Sequence, residues 1–118
     1  MIIQVLHYDR ETDMFDHVAD VDYDANTNAE HGMEYAFSST QNLEGSWSQA
    51  EVVDLGEYGT VDNPDYNPSV RVLKPLRREM TTGREYGHRS TSVGDRMIVD
   101  GDIYEVSSFG FSLVRKAV

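Results

Sequence analysis

The chain has no cysteine among its 118 residues. Disulfides, thiolate metal sites and cysteine nucleophiles are therefore excluded. Lysine and arginine are nearly missing from the first 70 residues, where Arg10 is the lone base against 15 acids. A surface of that charge repels phosphate, so binding of nucleic acid over the whole molecule is excluded. Long apolar runs are missing too, and nothing approaches the roughly 18 to 20 residues of a membrane span. The opening Met1-Ile2-Ile3-Gln4-Val5-Leu6 lacks the basic flank and length of a signal peptide and reads as a first strand. A cytoplasmic protein is expected. There is one tryptophan and there are three prolines, and neither an internal repeat nor a low-complexity tract occurs.

What remains suits one compact domain over residues 1–118, with a 39% hydrophobic fraction and a net charge of −11. The charge is unevenly placed, because residues 71–118 carry nine bases against six acids. Ile2 to Tyr8 forms an apolar and β-branched run. Phe15 to Val21 alternates, with Phe15, His17, Ala19 and Val21 on one side and Asp16, Val18 and Asp20 on the other. Period-two alternation predicts a half-buried strand, and the two runs predict an antiparallel hairpin. Thr27 and Glu30 have capping-box spacing, which predicts a helix from Thr27 to about Thr40. Its narrow stripe of Ala29, Met33, Ala36, Phe37 and Thr40 suits packing on a sheet.

Val52, Val53 and Leu55 predict a short strand, and Val70 to Leu73 another, stopped by Pro75. Residues 56–68 are dense in Gly, Asn, Asp and Pro, and residues 76–89 show little apolar periodicity. Residues 56–92 are thus expected to be a long loop or partly disordered. Asp100-Gly101 between two β-like runs predicts a tight hairpin, since that turn needs positive φ. A further strand is predicted from Phe109 to Val114. The expected class is α+β, one main helix packed on a mainly antiparallel β-sheet with a C-terminal β-hairpin or meander.

The stretch from Gly87 through Arg89-Ser90-Thr91-Ser92-Val93-Gly94-Asp95 to Val99, with Tyr104-Glu105-Val106 and Gly110-Phe111 after it, resembles the end of the YodL-like domain. It is also similar to small uncharacterised proteins of actinobacterial phages, plasmids and other mobile elements. Thr91 stands where that family usually has leucine. The helix ending in Gln41-Asn42, with Trp47 following, resembles the same relatives loosely. The resemblance implies an accessory protein of a mobile genetic element, of a kind sometimes fused beside anti-restriction domains. It carries over no reaction and no catalytic residue. In the block itself, Ser92 and Asp95 are placed to bond nearby backbone in a turn, Gly94 to accept a left-handed backbone, and Val93 to point into the core. That makes the motif architectural.

Several constellations carry candidate chemistry. Asp20, Asp22, Asp24, Asn26, Asn28 and Glu30 alternate like a calcium loop. Counted from Asp20, however, the sixth and twelfth positions are Ala25 and His31, which removes the turn glycine and the closing glutamate. His7 and His17 are candidates to face each other across the first hairpin, as a weak zinc pair or a polar contact. No nucleophile elbow, P-loop, dinucleotide fingerprint or metalloprotease helix occurs, and no cofactor or metal is expected. Asp9, Glu11, Asp13, Asp16, Asp20, Asp22 and Asp24 place seven carboxylates within sixteen residues. On a hairpin some of them are expected to form a negative row that docks on a basic surface of another protein, the principle behind DNA mimicry. This is the leading functional expectation, a non-enzymatic protein that binds another protein, with an anti-defence role as one form of it. A solvated face is the alternative. Lys74, Arg77, Arg78, Arg84 and Arg89, with His88 among them, form a basic loop suited to phosphate, so a small nucleic-acid-binding module is a second expectation. An enzyme using His88 with a carboxylate is a third, and it requires a cleft beside that histidine.

Overall fold

The computed structural model describes residues 1–24, 28–74 and 76–117, with Arg77 and Arg78 described as backbone. Strands β1 (Ile2–Asp9) and β2 (Met14–Asp22) form the predicted antiparallel hairpin, and helix α1 (Ala29–Ser39) follows. After the short strands β3 (Val52–Asp54), β4 (Thr60–Asp62), β5 (Val70–Val72), β6 (Arg77–Arg78) and β7 (Glu85–Tyr86), the chain ends in the meander of β8 (Arg96–Val99), β9 (Asp102–Ser107) and β10 (Gly110–Arg115). A six-stranded antiparallel sheet has the order β10-β9-β8-β1-β2-β5, so the N-terminal hairpin lies beside the C-terminal meander. The fold is α+β. Among the described residues no helix is long and apolar enough to cross a membrane.

The helix covers one face of the sheet. Its buried Met33 and Ala36 belong to the expected stripe, and Gly32 is buried beside them. At Gly32 an added Cβ would sit 2.7 Å from the Met1 sulfur and 3.1 Å from Ile3 Cδ1, so the absent side chain sets how closely helix and sheet approach. The N-cap is Asn28, whose Oδ1 accepts from the His31 N–H at 2.9 Å. The expected cap Thr27 lies outside the described residues. The core joins Ile3 and Val5 of β1, Ala19 and Val21 of β2, Met97 and Val99 of β8, and Met33 and Ala36 of α1, with Trp47 buried beside them. The β8–β9 turn has Asp100 at φ 51° and Gly101 at φ 84°, as the Asp-Gly pair predicts.

The structure departs from expectation in β2. Val5 pairs with Ala19, but Leu6 pairs with His17, so Val18 is an extra, bulged residue. Beyond the bulge the alternation inverts. Ala19 and Val21 face the helix, whereas His17 and Phe15 pair with Leu6 and Tyr8 on the opposite face. Asp16, opposite His7, turns to the helix side. His7 and His17 therefore lie on opposite faces, and the pairing considered for zinc does not form.

Among the described residues between 56 and 92 the chain forms short elements. Val53 pairs with Val61, Arg77 with Tyr86, and Gly56–Tyr58 makes a 3-10 turn whose Glu57 N–H donates to the Thr82 carbonyl at 3.1 Å. Polar side chains rather than apolar faces hold this segment. The Asn63 amide donates to the Ser46, Gln49 and Ala50 carbonyls and accepts from the Ser46 N–H. The Asp65 carboxylate accepts from the N–H groups of Leu43, Glu44 and Gly45 at 2.7 to 3.1 Å.

Candidate functional site

Where the helix ends, the same face of the sheet opens into a cleft of about 650 Å³. Its floor is built from β1, β2 and the block preceding β8. His7 follows Ile3 and Val5 in the inward-pointing register of β1 and is buried. Its Nε2 lies 2.8 Å from Thr91 Oγ1, and Thr91 Oγ1 lies 2.8 Å from Thr40 Oγ1 at the C-terminus of α1. Thr40 also bonds the Ala36 carbonyl at 2.8 Å. Thr91 thus serves as the link between helix and strand. Burial pushes the His7 pKa down to about 4 although Asp95 lies 4.0 Å away, so the ring is neutral at pH 7.

Asp95 is only 1% exposed. Arg89 meets it with two parallel bonds of 2.6 and 2.7 Å, and the N–H groups of Tyr8 and Ser92 donate to it at 2.9 and 2.8 Å. Burial alone would raise its pKa. The guanidinium and the two backbone donors outweigh burial and hold the carboxyl below the usual range. Arg89 Nη2 also donates to the Tyr8 carbonyl at 3.1 Å, which ties the block to the tip of the first hairpin. This agrees with the architectural reading of Ser92, Gly94 and Asp95, and Gly94 has φ 95°. Val93 differs from expectation. It is 63% exposed, because the Ser92–Asp95 turn faces outward.

The wall opposite the tip is His88. Its ring stacks on Trp47 with centroids 5.8 Å apart and planes 29° apart, and His7 meets Trp47 edge-on at 5.9 Å. Trp47 is fixed by its indole N–H donating to the Arg89 carbonyl at 2.7 Å. Burial lowers the His88 pKa. Its Nε2 faces the Lys74 carbonyl at 3.3 Å rather than a carboxylate, so the acid–base pair required by the enzyme reading is not assembled here. The cleft that this reading requires is present.

The two candidate sets, whose nearest members Asp24 and Lys74 are fifty positions apart in sequence, meet in this cleft. Asp9, Glu11 and Asp16 line it together with Lys74, His88 and Arg89. Asp16 is paired with Lys74 at 2.7 Å across a half-exposed contact worth at most about 1 kcal/mol. Asp13, at φ 54° in the hairpin turn, accepts from the Tyr8 hydroxyl. The remaining acids do not continue the row. Asp20 and Asp22 pair with Gln4 and Ile2 on the other face, near the far end of the hairpin, and Asp20 is held by His17 at 2.7 Å. Asp24 follows β2 and is exposed. The bulge thus separates the acids at the hairpin tip from Asp20 and Asp22. The backbone of Arg77 and Arg78 forms β6, and Arg84, which is not among the residues lining the cleft, has its guanidinium 5.4 Å from the Tyr86 ring centroid. The calcium-loop pattern includes Ala25 and Asn26, which lie outside the described residues. Among the described residues no group of three or more His, Asp or Glu side chains is arranged to hold a metal ion.

The link of His7, Thr91 and Thr40 was missed by reading motifs alone. Its signal was present, because His7 continues an inward apolar alternation and a histidine there needs a buried polar partner. No protein-family model matches the chain, and neither a curated protein nor a solved structure matches it significantly.

Proposed function

We propose that this chain is a non-enzymatic accessory protein that binds another protein, docking a basic surface against the carboxylates at the tip of the β1–β2 hairpin. One observation carries the reading. Asp9, Glu11 and Asp13 form no ion pair among the described residues, whereas the neighbouring cations Lys74 and Arg89 are each held by a carboxylate of the chain itself. Charge left uncompensated at the mouth of the cleft is therefore mainly negative, with Arg10 the exposed base beside it. Such a mouth attracts a basic partner and speeds its association. The same pairings take two cations from the basic loop and weaken its case as a nucleic-acid interface. The association with mobile elements, and an anti-defence role, rest on the YodL-like resemblance of residues 87–111.

Capture of partners from host lysate tests the proposal. The triple variant Asp9→Asn, Glu11→Gln, Asp13→Asn is expected to lose a salt-sensitive partner that the wild type retains. Asp20→Asn with Asp22→Asn, at the far end of the hairpin, is expected to keep it. A partner held equally by the triple variant and the wild type would overturn the assignment of this surface.

A further inference from the structure

The cleft offers a cation more than negative charge. Trp47 lies behind His88 with its plane 29° from the imidazole, is 1% exposed and does not line the cleft, so the cleft meets the other side of the His88 ring. Burial lowers the His88 pKa, which leaves the ring neutral at pH 7. A neutral imidazole backed by an indole presents a π surface to a cation. The bulge turns the Asp16 carboxylate to the same face of the sheet. That carboxylate already holds a cation, the Lys74 ammonium at 2.7 Å, while the Lys74 carbonyl lies 3.3 Å from His88 Nε2. The Lys74 side chain thus runs from the ring wall to the acid. Its pairing is half exposed at both ends, and pairs of that kind are weak and exchange readily. Val93, 63% exposed, adds an apolar surface to the same lining.

We infer that the partner anchors itself here with an arginine side chain, whose guanidinium takes the Asp16 carboxylate from Lys74 and lies against the His88 ring. The inference rests on the docking reading above and names the chemistry of its anchor. Three features select arginine over lysine. A guanidinium gives a carboxylate two parallel N–H bonds, as Arg89 already does with Asp95 in this cleft, whereas an ammonium acts as a point charge. A guanidinium is planar and weakly hydrated, so it stacks on a ring, whereas an ammonium keeps its water. The methylene stem of the incoming side chain can cover Val93 while its head reaches the acid. Arg89 does not compete for Asp16, because Asp95 holds it. Asp9 and Glu11, which form no ion pair among the described residues, offset the added positive charge at the mouth. Lys74 is then an internal stand-in for the arginine, and it keeps the seat from cations that bind no better than it does.

Two blocked tripeptides, Arg-Gly-Arg and Lys-Gly-Lys, carry the same charge and differ only in their head groups. They are titrated into the full chain at low salt, with the ring protons of His88 and the indole N–H of Trp47 followed by NMR. The arginine peptide is expected to bind at least about fivefold tighter than the lysine peptide and to shift the His88 ring protons. Lys74→Met is expected to tighten the arginine peptide by about threefold or more, a gain that misfolding cannot produce. His88→Ala is expected to bring the two peptides within about twofold of each other. Equal affinities in the wild type would overturn the anchor, and so would arginine binding that leaves the His88 ring unmoved or that Lys74→Met fails to tighten. If equal affinities are both lost in the triple variant Asp9→Asn, Glu11→Gln, Asp13→Asn, the anchor falls and the docking surface stands. If the arginine preference and affinity persist undiminished in that variant, the anchor stands and the docking surface falls.

Discussion

Trp47 and the strand β5 apart, which join the core and the sheet, the segment from residue 41 to 92 is ordered by a different force from the sheet. In the sheet, alternating apolar side chains such as Val5, Ala19 and Met97 are removed from water against α1, and the ladders follow. In the segment, strands of two or three residues are too short to bury a face, and asparagine, aspartate and glutamine side chains satisfy backbone groups one by one. Apolar burial is distributed and leaves a period in the sequence. Polar satisfaction is concentrated in single residues and leaves none. The contrast explains why the sheet is legible and the segment is not, and it can be tested.

The largest effect is expected in the sheet. Met97→Ala, at a side chain with no exposure between Val5 and Tyr104, should cost about 2–5 kcal/mol in urea unfolding and should lower protection of every strand together. A destabilisation below about 1 kcal/mol would show that Met97 sits in a site able to collapse.

The next effect is expected where the two regions meet, at His7. Folding lowers its pKa from 6.5 to about 4, so the unfolded state takes up a proton first as pH falls. Stability from this group is complete above pH 6.5 and is lost between pH 6.5 and 4, by roughly 3 kcal/mol in total. His88, also lowered, acts in the same direction. Asp95 acts only below its ordinary value of 3.8. His7→Gln keeps a partner for Thr91 and is expected to flatten the stability profile across that window. An equally steep loss in the variant would place the titration elsewhere.

A smaller and local effect is expected at Asn63. Asn63→Ala leaves the Ser46, Gln49 and Ala50 carbonyls without their donor and should cost about 2 kcal/mol. Hydrogen exchange should quicken in residues 44–66 while the amides of β1 and β8 keep their protection. Uniform loss across the sheet would show that the two regions fold as one unit.

The boundaries of the first hairpin, the helix and the C-terminal meander were readable because each repeats a simple period or carries a turn signature, as Asp100-Gly101 does. The cleft was readable only in pieces. Arg89, Lys74 and Asp16 each stood out as charged, but the pairing of Asp16 with Lys74 depends on a register that an extra residue in β2 resets. Asp95 and Ser92 were recognisable as turn residues, because Asx-type bonds are local. The contact of Thr91 with His7 spans 84 positions and has no local trace beyond the inward phase of β1.

The bulge at Val18 has a consequence for how the protein can change. It works as a phase break, so the outer part of the hairpin is out of step with the part that packs under the helix. Drawing Val18 into the ladder opposite Leu6 would act as a toggle: His17 would then meet His7, the acid at position 16 would swing outward and the ring of Phe15 would come to the cleft wall, exchanging a charged lining for an aromatic one. Because the core lies on the other side of the break, that exchange would leave the helix-facing positions of β1 and β8 where they are.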